Sequence, residues 1–90
     1  MEGTDDSWTT KAEDDAVESV VLRQVLEIHP TRLTAAELVR EICGERPDFA
    51  ERDAVERAVR DLTAAGLLHE GEEFVTPTRA ALRFSELLDR

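Results

Sequence analysis

The spacing of apolar residues along the chain predicts four helices and one β-hairpin. Between Asp14 and His29, apolar side chains recur every three or four residues, as one face of a helix requires. Pro30 is expected to end this first helix, because proline lacks an N–H donor and clashes with the preceding turn. The apolar arc of the helix is broad, which is typical of a central helix that is contacted from several sides.

Capping residues mark the start of the second helix. In the segment Thr34-Ala-Ala-Glu37, the Thr34 side chain can accept from the amide of Glu37, and the Glu37 side chain can reach back. Leu33 before this capping box and Leu38 after it form a hydrophobic staple. Gly44 is expected to end the helix in a left-handed conformation.

The segment Asp48-Phe-Ala-Glu51 repeats this capping pattern and predicts a third helix over 48–65. Gly66 is expected to end it. The predicted inner face of the helix has apolar residues at helical spacing: Val55, Ala58, Val59, Leu62 and Ala65.

A β-hairpin and a last helix are predicted after the third helix. The short run 67–70, a turn around Gly71 and the run 74–76 are typical of two paired strands. Thr76-Pro77 predicts the start of the last helix, with threonine as the cap and proline at the first position. One edge of this helix is apolar: Ala81, Phe84, Leu87 and Leu88.

Composition and charge divide the chain into two parts. Ninety residues with 41% hydrophobic content suffice for one small core. The formal net charge is −10, and residues 1–18 hold seven acids against the single Lys11. Residues 1–13 also lack an apolar period, so we expect a disordered acidic tail there and one folded domain over 14–90.

The candidate chemistry is sparse, and we expect no enzyme activity, no cofactor and no metal. No nucleophile triad, glycine-rich phosphate loop or metal-ligand spacing occurs. Cys43 is a lone cysteine, for which a buried small side chain and a redox-sensitive thiol are the two interpretations. No apolar run is long enough to cross a membrane, so a cytoplasmic protein without membrane contact is expected.

Three features together resemble the winged helix-turn-helix superfamily of small bacterial transcriptional regulators. They are Leu33-Thr-Ala-Ala-Glu-Leu38, Ala64-Ala-Gly-Leu-Leu68 and the hairpin that directly follows. The resemblance covers roughly residues 16–88. It implies a mainly α fold with a small β-hairpin: a three-helix core, a wing hairpin and a C-terminal helix. The link from Cys43 to Pro47 is longer than the turn of a strict helix-turn-helix.

The resemblance implies a transcriptional regulator that binds double-stranded DNA, with 48–65 as the recognition helix in the major groove. Arginine suits this role because its guanidinium binds guanine or phosphate oxygens in pairs. Spacing also allows Arg57 to pair with Asp53 and Arg60 with Glu56 within the helix. The candidate DNA-binding residues are Arg52, Arg57, Arg60, Thr63, Arg32, Arg46 and Arg79.

The charge of the wing favours an alternative function. Glu70, Glu72 and Glu73 place carboxylates at the hairpin tip, where a phosphate backbone would be repelled. The alternative is a protein–protein interaction module that binds a basic partner and not DNA. The acidic tail either masks a basic surface of the domain or only keeps the protein soluble. The apolar edge of the last helix predicts either a homodimer or packing of that helix along the first one.

Overall fold

The computed structural model describes residues 2–89 and the surroundings of the side chains from residue 11 onward. Four helices and three short strands follow one another along the chain: α1 (Glu2–Ile28), β1 (Leu33–Thr34), α2 (Ala35–Cys43), α3 (Phe49–Ala64), β2 (Leu68–Gly71), β3 (Phe74–Pro77) and α4 (Arg79–Leu88). The predicted mainly α fold with a small β-hairpin is confirmed at this level. Its assignment to the winged-helix superfamily stays a prediction.

The first helix begins earlier than the sequence predicts. α1 starts at Glu2 rather than near Asp14. Positions 11–13 are exposed, and a helical segment without tertiary packing is marginal in water. The disorder of residues 1–13 in solution therefore stays a prediction, and the side chains of residues 1–10 lie outside the described part.

Both predicted capping boxes are present. The Thr34 hydroxyl accepts from the amide of Glu37 at 3.1 Å, and the Glu37 carboxylate accepts from the amide of Thr34 at 2.9 Å. At the start of α3, Asp48 and Glu51 exchange the corresponding bonds at 2.8 and 3.1 Å. These bonds satisfy amides that have no partner within the helix, so each helix begins at a defined residue.

The end of α3 is a Schellman motif centred on Gly66. The amide of Leu67 donates to the carbonyl of Leu62 at 3.0 Å, and the amide of Gly66 donates to the carbonyl of Thr63 at 3.1 Å. Gly66 has a φ of 86°, which an L-residue with a side chain adopts only at a cost. The predicted glycine stop is confirmed, and the chain leaves α3 directly into β2.

The sheet contains one strand that the sequence analysis missed. β1 pairs antiparallel with β3, with Leu33 opposite Val75, and β3 in turn pairs with β2, so the strand order is β1-β3-β2. A two-residue strand has no detectable alternation of its own. Its pairing to β3 ties the start of α2 to the hairpin.

The hairpin turn starts one residue later than predicted, and the last helix starts two residues later. Glu72 and Glu73, with φ values of 53° and 75°, form the two-residue turn, whereas Gly71 is the last residue of β2. The cap of α4 is Thr78 rather than Thr76, and it accepts from the amide of Ala81 at 3.2 Å. Pairing of β2 with β3 up to Pro77 keeps Thr76 in the sheet, so the helix begins only after Thr78.

The core lies between α1, α2, α3 and the sheet, and it is aliphatic. Its most deeply buried side chains are Leu38, Leu68, Val21 and Val25. Among the predicted inner residues of α3, Ala65 is exposed because it caps the helix instead of continuing it. Within residues 2–89, no helix combines the length and the apolar character needed to cross a membrane.

Candidate interaction surfaces

The seven predicted DNA-binding residues are distributed over four elements. Four of them lie on α3, while Arg32 precedes β1, Arg46 lies in the link between α2 and α3, and Arg79 begins α4. None of the hydrogen bonds or ion pairs among the side chains of residues 11–89 joins two of the seven. The structure therefore does not assemble them through direct contacts.

Arg57 forms ion pairs with two carboxylates. Its guanidinium lies 3.0 Å from Asp53, one turn earlier on α3, and 3.2 Å from Asp14 on α1. Hydrogen bonding to Asp53 and the charge of Asp14 are the two largest causes that raise the pKa of Arg57 above its ordinary value. The predicted Asp53–Arg57 pair is confirmed. The Asp14 contact is new, because it joins residues far apart in sequence and cross-links α1 to α3.

Arg60 and Arg52 are exposed on α3. The predicted Glu56–Arg60 pair is not among the ion pairs formed by side chains of the described part, so the prediction is wrong for this conformation. Such a surface pair contributes only about 0.2–0.5 kcal/mol, which does not offset much loss of side-chain freedom. These two guanidinium groups face solvent.

Thr63 contacts the acidic hairpin. Its hydroxyl donates to the carbonyl of Val59 at 2.7 Å and lies 3.5 Å from a carboxylate oxygen of Glu70 on β2. Glu70, Glu72 and Glu73 are all exposed. Glu70 on β2 is therefore adjacent to the C-terminal half of α3.

Arg32 packs on the hairpin rather than projecting from it. Its guanidinium carbon lies 5.1 Å from the ring centre of Phe74, within the range of a cation–π contact. The contact places one positive charge beside the sheet, at the opposite end of β3 from Pro77.

A groove between α2 and α3 has mixed charge. It has a volume of about 410 Å³, and both signs of charge line it in equal number. Arg52 lies in this groove together with Arg40, which the sequence analysis did not single out. The sequence analysis did not include Arg40 because it lies on α2, whereas the winged-helix resemblance assigns DNA binding to the helix over 48–65. The lining is Ala36, Val39, Arg40, Glu45, Pro47, Arg52 and Glu56.

A second groove, which we call the α1–α3 groove, is apolar along its floor. It comprises two adjoining cavities of about 360 and 530 Å³ that share Ala16, Val17, Glu51 and Ala54. Ile42, Val55 and Val20 extend the floor, and Val20 is 44% exposed although its side chain is apolar. The floor of the groove is therefore apolar and open to solvent.

The rim of the α1–α3 groove is acidic. Glu13, Asp14, Asp48 and Glu51 line it, and the one guanidinium in its lining, that of Arg57, is already paired with Asp14 and Asp53. Sequence reasoning missed this groove, because its walls come from helices far apart in the chain. The sequence did contain one indication of the groove, because Val17 and Val20 widen the apolar arc of α1 beyond what the core covers.

The acidic character continues along the contact between α1 and α3. Burial, and then the negative charges of Asp61, Asp15 and Asp14, raise the pKa of Glu18 above its ordinary value. A carboxyl with a raised pKa destabilises the folded state when it is ionised. The Arg57 guanidinium partly offsets this accumulation of negative charge.

Cys43 lies in the wall of the α1–α3 groove, half-buried, with its sulfur 3.9 Å from the carbonyl oxygen of Glu51. Burial and the charges of Glu51 and Asp48 raise the pKa of the Cys43 thiol. The structure thus favours the interpretation of a small packed side chain over that of a reactive thiol, because less thiolate is present at neutral pH.

We expect the native protein to react with iodoacetamide several-fold more slowly than the unfolded chain at about pH 7, because only the thiolate reacts. Glu51→Gln should raise the native rate, since glutamine keeps the capping box but removes the negative charge. Mass spectrometry over time measures both rates, and the chain in guanidinium chloride provides the reference. A native rate equal to that reference would contradict the prediction.

Comparison of the chain with models of protein families, with characterised proteins and with solved structures finds no match.

Proposed function

We propose that this chain is a winged-helix domain that works as a protein-interaction module and binds a basic amphipathic helix in the α1–α3 groove. The observation that carries the proposal is the combination of an open apolar floor with an acidic rim. A helix with apolar residues at i, i+3, i+4 and i+7 would bury that stripe on the floor. Its flanking lysines and arginines would lie against the carboxylates.

The electrostatics of the whole chain support a positive partner. The net charge of −10 attracts basic proteins over a distance of about one Debye length and repels nucleic acid. At short range, the carboxylates of Glu13 and Asp48 on the rim supply pairing partners, while the apolar floor supplies most of the binding free energy. Charge thus accelerates encounter and selects the sign of the partner.

DNA binding, the function that the resemblance implies, has weaker support from the same surfaces. Arg52 and Arg60 are exposed and available for phosphates, but Arg57 is paired with two carboxylates and Thr63 lies beside Glu70. Phosphate neutralisation drives most of the affinity of such proteins. A gel shift at about 50 mM salt, where that affinity is strongest, tests this alternative.

The proposal is tested with a designed helical peptide of roughly 18 residues, in which leucines form one stripe and lysines fill the other positions. Two matched peptides accompany it: one with glutamate for lysine, and one with the same composition but scrambled leucines. Fluorescence anisotropy measures the affinities. We expect the striped lysine peptide to bind at least about tenfold more tightly than either control, because only it satisfies both floor and rim.

A variant of the protein separates the floor from simple charge attraction. Val20→Asp adds a carboxylate, and if charge alone mattered it would strengthen binding of the lysine peptide. We expect it instead to weaken binding at least about tenfold, because it places a charge on the apolar floor. Ala64→Asp adds the same charge at an exposed position of α3 outside the groove, and it should not weaken binding. Circular dichroism checks that both variants fold.

Three results would overturn the proposal. The first is an affinity for the scrambled peptide equal to that for the striped lysine peptide, and the second is an affinity of Val20→Asp for the striped peptide equal to that of the wild type. The third is binding of a DNA duplex at low salt that the double variant Arg52→Gln with Arg60→Gln abolishes. The last result would establish the DNA-binding alternative instead.

A further inference from the structure

The part of α1 before Val21 is attached to the domain by few contacts. None of the residues 11–20, which we call the α1 strap, is fully buried, and Asp14, Val17 and Glu18 are its half-buried positions. Val21, by contrast, is 0% exposed and belongs to the core. A helical segment is marginal in water without tertiary packing. Because two of the three half-buried side chains are carboxyl groups, docking of the α1 strap on α3 depends on their charge.

A narrow crevice between the α1 strap and α3 brings like charges together. Asp14 and Glu18 line it from α1, and Arg57 and Asp61 line it from α3. Arg57 is the one cation that the described residues contribute to this lining, and its ion pairs are with Asp14 and Asp53. Neither Glu18 nor Asp61 has an ion pair among the described side chains. The crevice therefore has excess negative charge at the position of Glu18.

Glu18 lies within reach of a side-chain hydrogen bond to Asp61. On its own helix, Asp14 and Asp15 add negative charge, and Lys11 lies 3.6 Å from Asp15. Two carboxyl groups can form a hydrogen bond only when one of them is protonated. A protonated Glu18 donates its O–H to the Asp61 carboxylate, whereas two ionised groups repel each other. Protonation of Glu18 thus changes this contact from repulsive to attractive.

We propose that a proton on Glu18 stabilises docking of the α1 strap on α3, and that loss of this proton near neutral pH opens the strap locally while the rest of the domain stays folded. Burial and the neighbouring carboxylates raise the pKa of Glu18 above its ordinary value of 4.5. The stabilisation is therefore fully present below that ordinary value and is lost as the pH rises through the higher pKa of the docked state. The α1 strap also carries Ala16, Val17 and Val20, so the α1–α3 groove is complete only while the strap is docked.

Hydrogen exchange of the full chain, followed by mass spectrometry at about pH 5 and about pH 7.5, measures opening of the α1 strap. Each exchange rate is divided by the intrinsic rate at the same pH, which gives a protection factor. The amides of β3 are the internal reference, because they lie in the sheet that packs on the core. We expect the protection of the α1 strap relative to β3 to fall several-fold between the lower and the higher pH.

Glu18→Gln is the variant that tests the role of the proton. Glutamine has nearly the shape of a protonated glutamate, and its amide can donate to Asp61. We expect the variant to protect the α1 strap at about pH 7.5 as well as the wild type does at about pH 5, and to lose most of the pH dependence. Glu27→Gln is the matched control, because it removes the same charge from an exposed position of α1 outside the crevice. It should keep the pH dependence of the wild type.

Two results would overturn the proposal. The first is a ratio of α1 strap protection to β3 protection that is the same at both pH values, which would show that the strap does not open separately from the core. The second is a Glu18→Gln variant with the same pH dependence as Glu27→Gln. Circular dichroism verifies the fold of both variants. These measurements use no peptide, so they succeed or fail independently of binding in the α1–α3 groove.

Discussion

Replacing Leu38 with alanine is expected to lower the free energy of unfolding by about 3 kcal/mol. Leu38 is fully buried, in contact with the core formed by α1, α2, α3 and the sheet, and the truncation would leave a cavity that rigid neighbours fill only in part. Domains of this size are stable by only about 5–15 kcal/mol, so the loss is a large fraction of the total. Urea denaturation followed by circular dichroism measures it.

Phe49→Ala is the control for this prediction. Phe49 is larger than Leu38, but it is 82% exposed at the start of α3, so its truncation should change the free energy of unfolding by less than about 0.5 kcal/mol. Equal effects of the two substitutions would show that the burial of Leu38 is not what stabilises the domain.

Replacing the turn Glu72-Glu73 with Asn-Gly is expected to raise the free energy of unfolding by about 1–2 kcal/mol. Both positions have positive φ, where a residue with a long side chain is disfavoured and asparagine and glycine are favoured. The strands are already in the register of a two-residue turn, with Gly71 opposite Phe74. The substitution therefore relaxes the backbone without shifting the pairing.

The double variant Glu72→Gln with Glu73→Gln separates backbone strain from charge repulsion. It removes the same two carboxylates but keeps side chains of nearly the same shape at positive φ. We expect it to raise the free energy of unfolding by less than half as much as the Asn-Gly turn does, since exposed charges contribute little to stability. If it recovers the whole gain, the instability of this turn arises from charge and not from φ.

The position of Gly71 explains why the sequence suggested a different turn. A glycine between two apolar runs usually supplies the positive φ that a turn requires. Here a Cβ atom at position 71 would lie 2.6 Å from the His69 Nε2 atom, so the glycine leaves room for a neighbouring side chain. Local sequence cannot distinguish these two uses, because both place a glycine at the end of a strand.

Much of the fold follows from local signals in the sequence. The capping boxes at Thr34 and Asp48 fix the starts of α2 and α3, and Gly66 fixes the end of α3. These features satisfy backbone groups within a few residues of chain, so their energies depend little on distant parts of the molecule. The apolar periods of α1, α2 and α3 likewise predicted most of their buried faces, whereas most of the apolar edge of α4 is exposed.

The candidate sites depended on contacts that no local signal encodes. Asp14 reaches Arg57 across the contact of α1 with α3, and with Asp53 it places two carboxylates beside one of the arginines predicted to bind DNA. The α1–α3 groove exists only because helices that are distant in sequence pack side by side. Side-chain spacing shows which residues share one face of a helix, but it does not show which helix faces lie against each other.

The sequence by itself determined the order of the helices, the caps of α2 and α3, the apolar faces of the first three helices and the excess of negative charge, because each of these is a property of residues close together in the chain. Only the tertiary structure decided that α4 leaves most of its apolar edge exposed, that Glu70 lies beside Thr63, and that β1 completes the sheet. These outcomes depend on how elements pack, and packing free energy is shared among many distant residues.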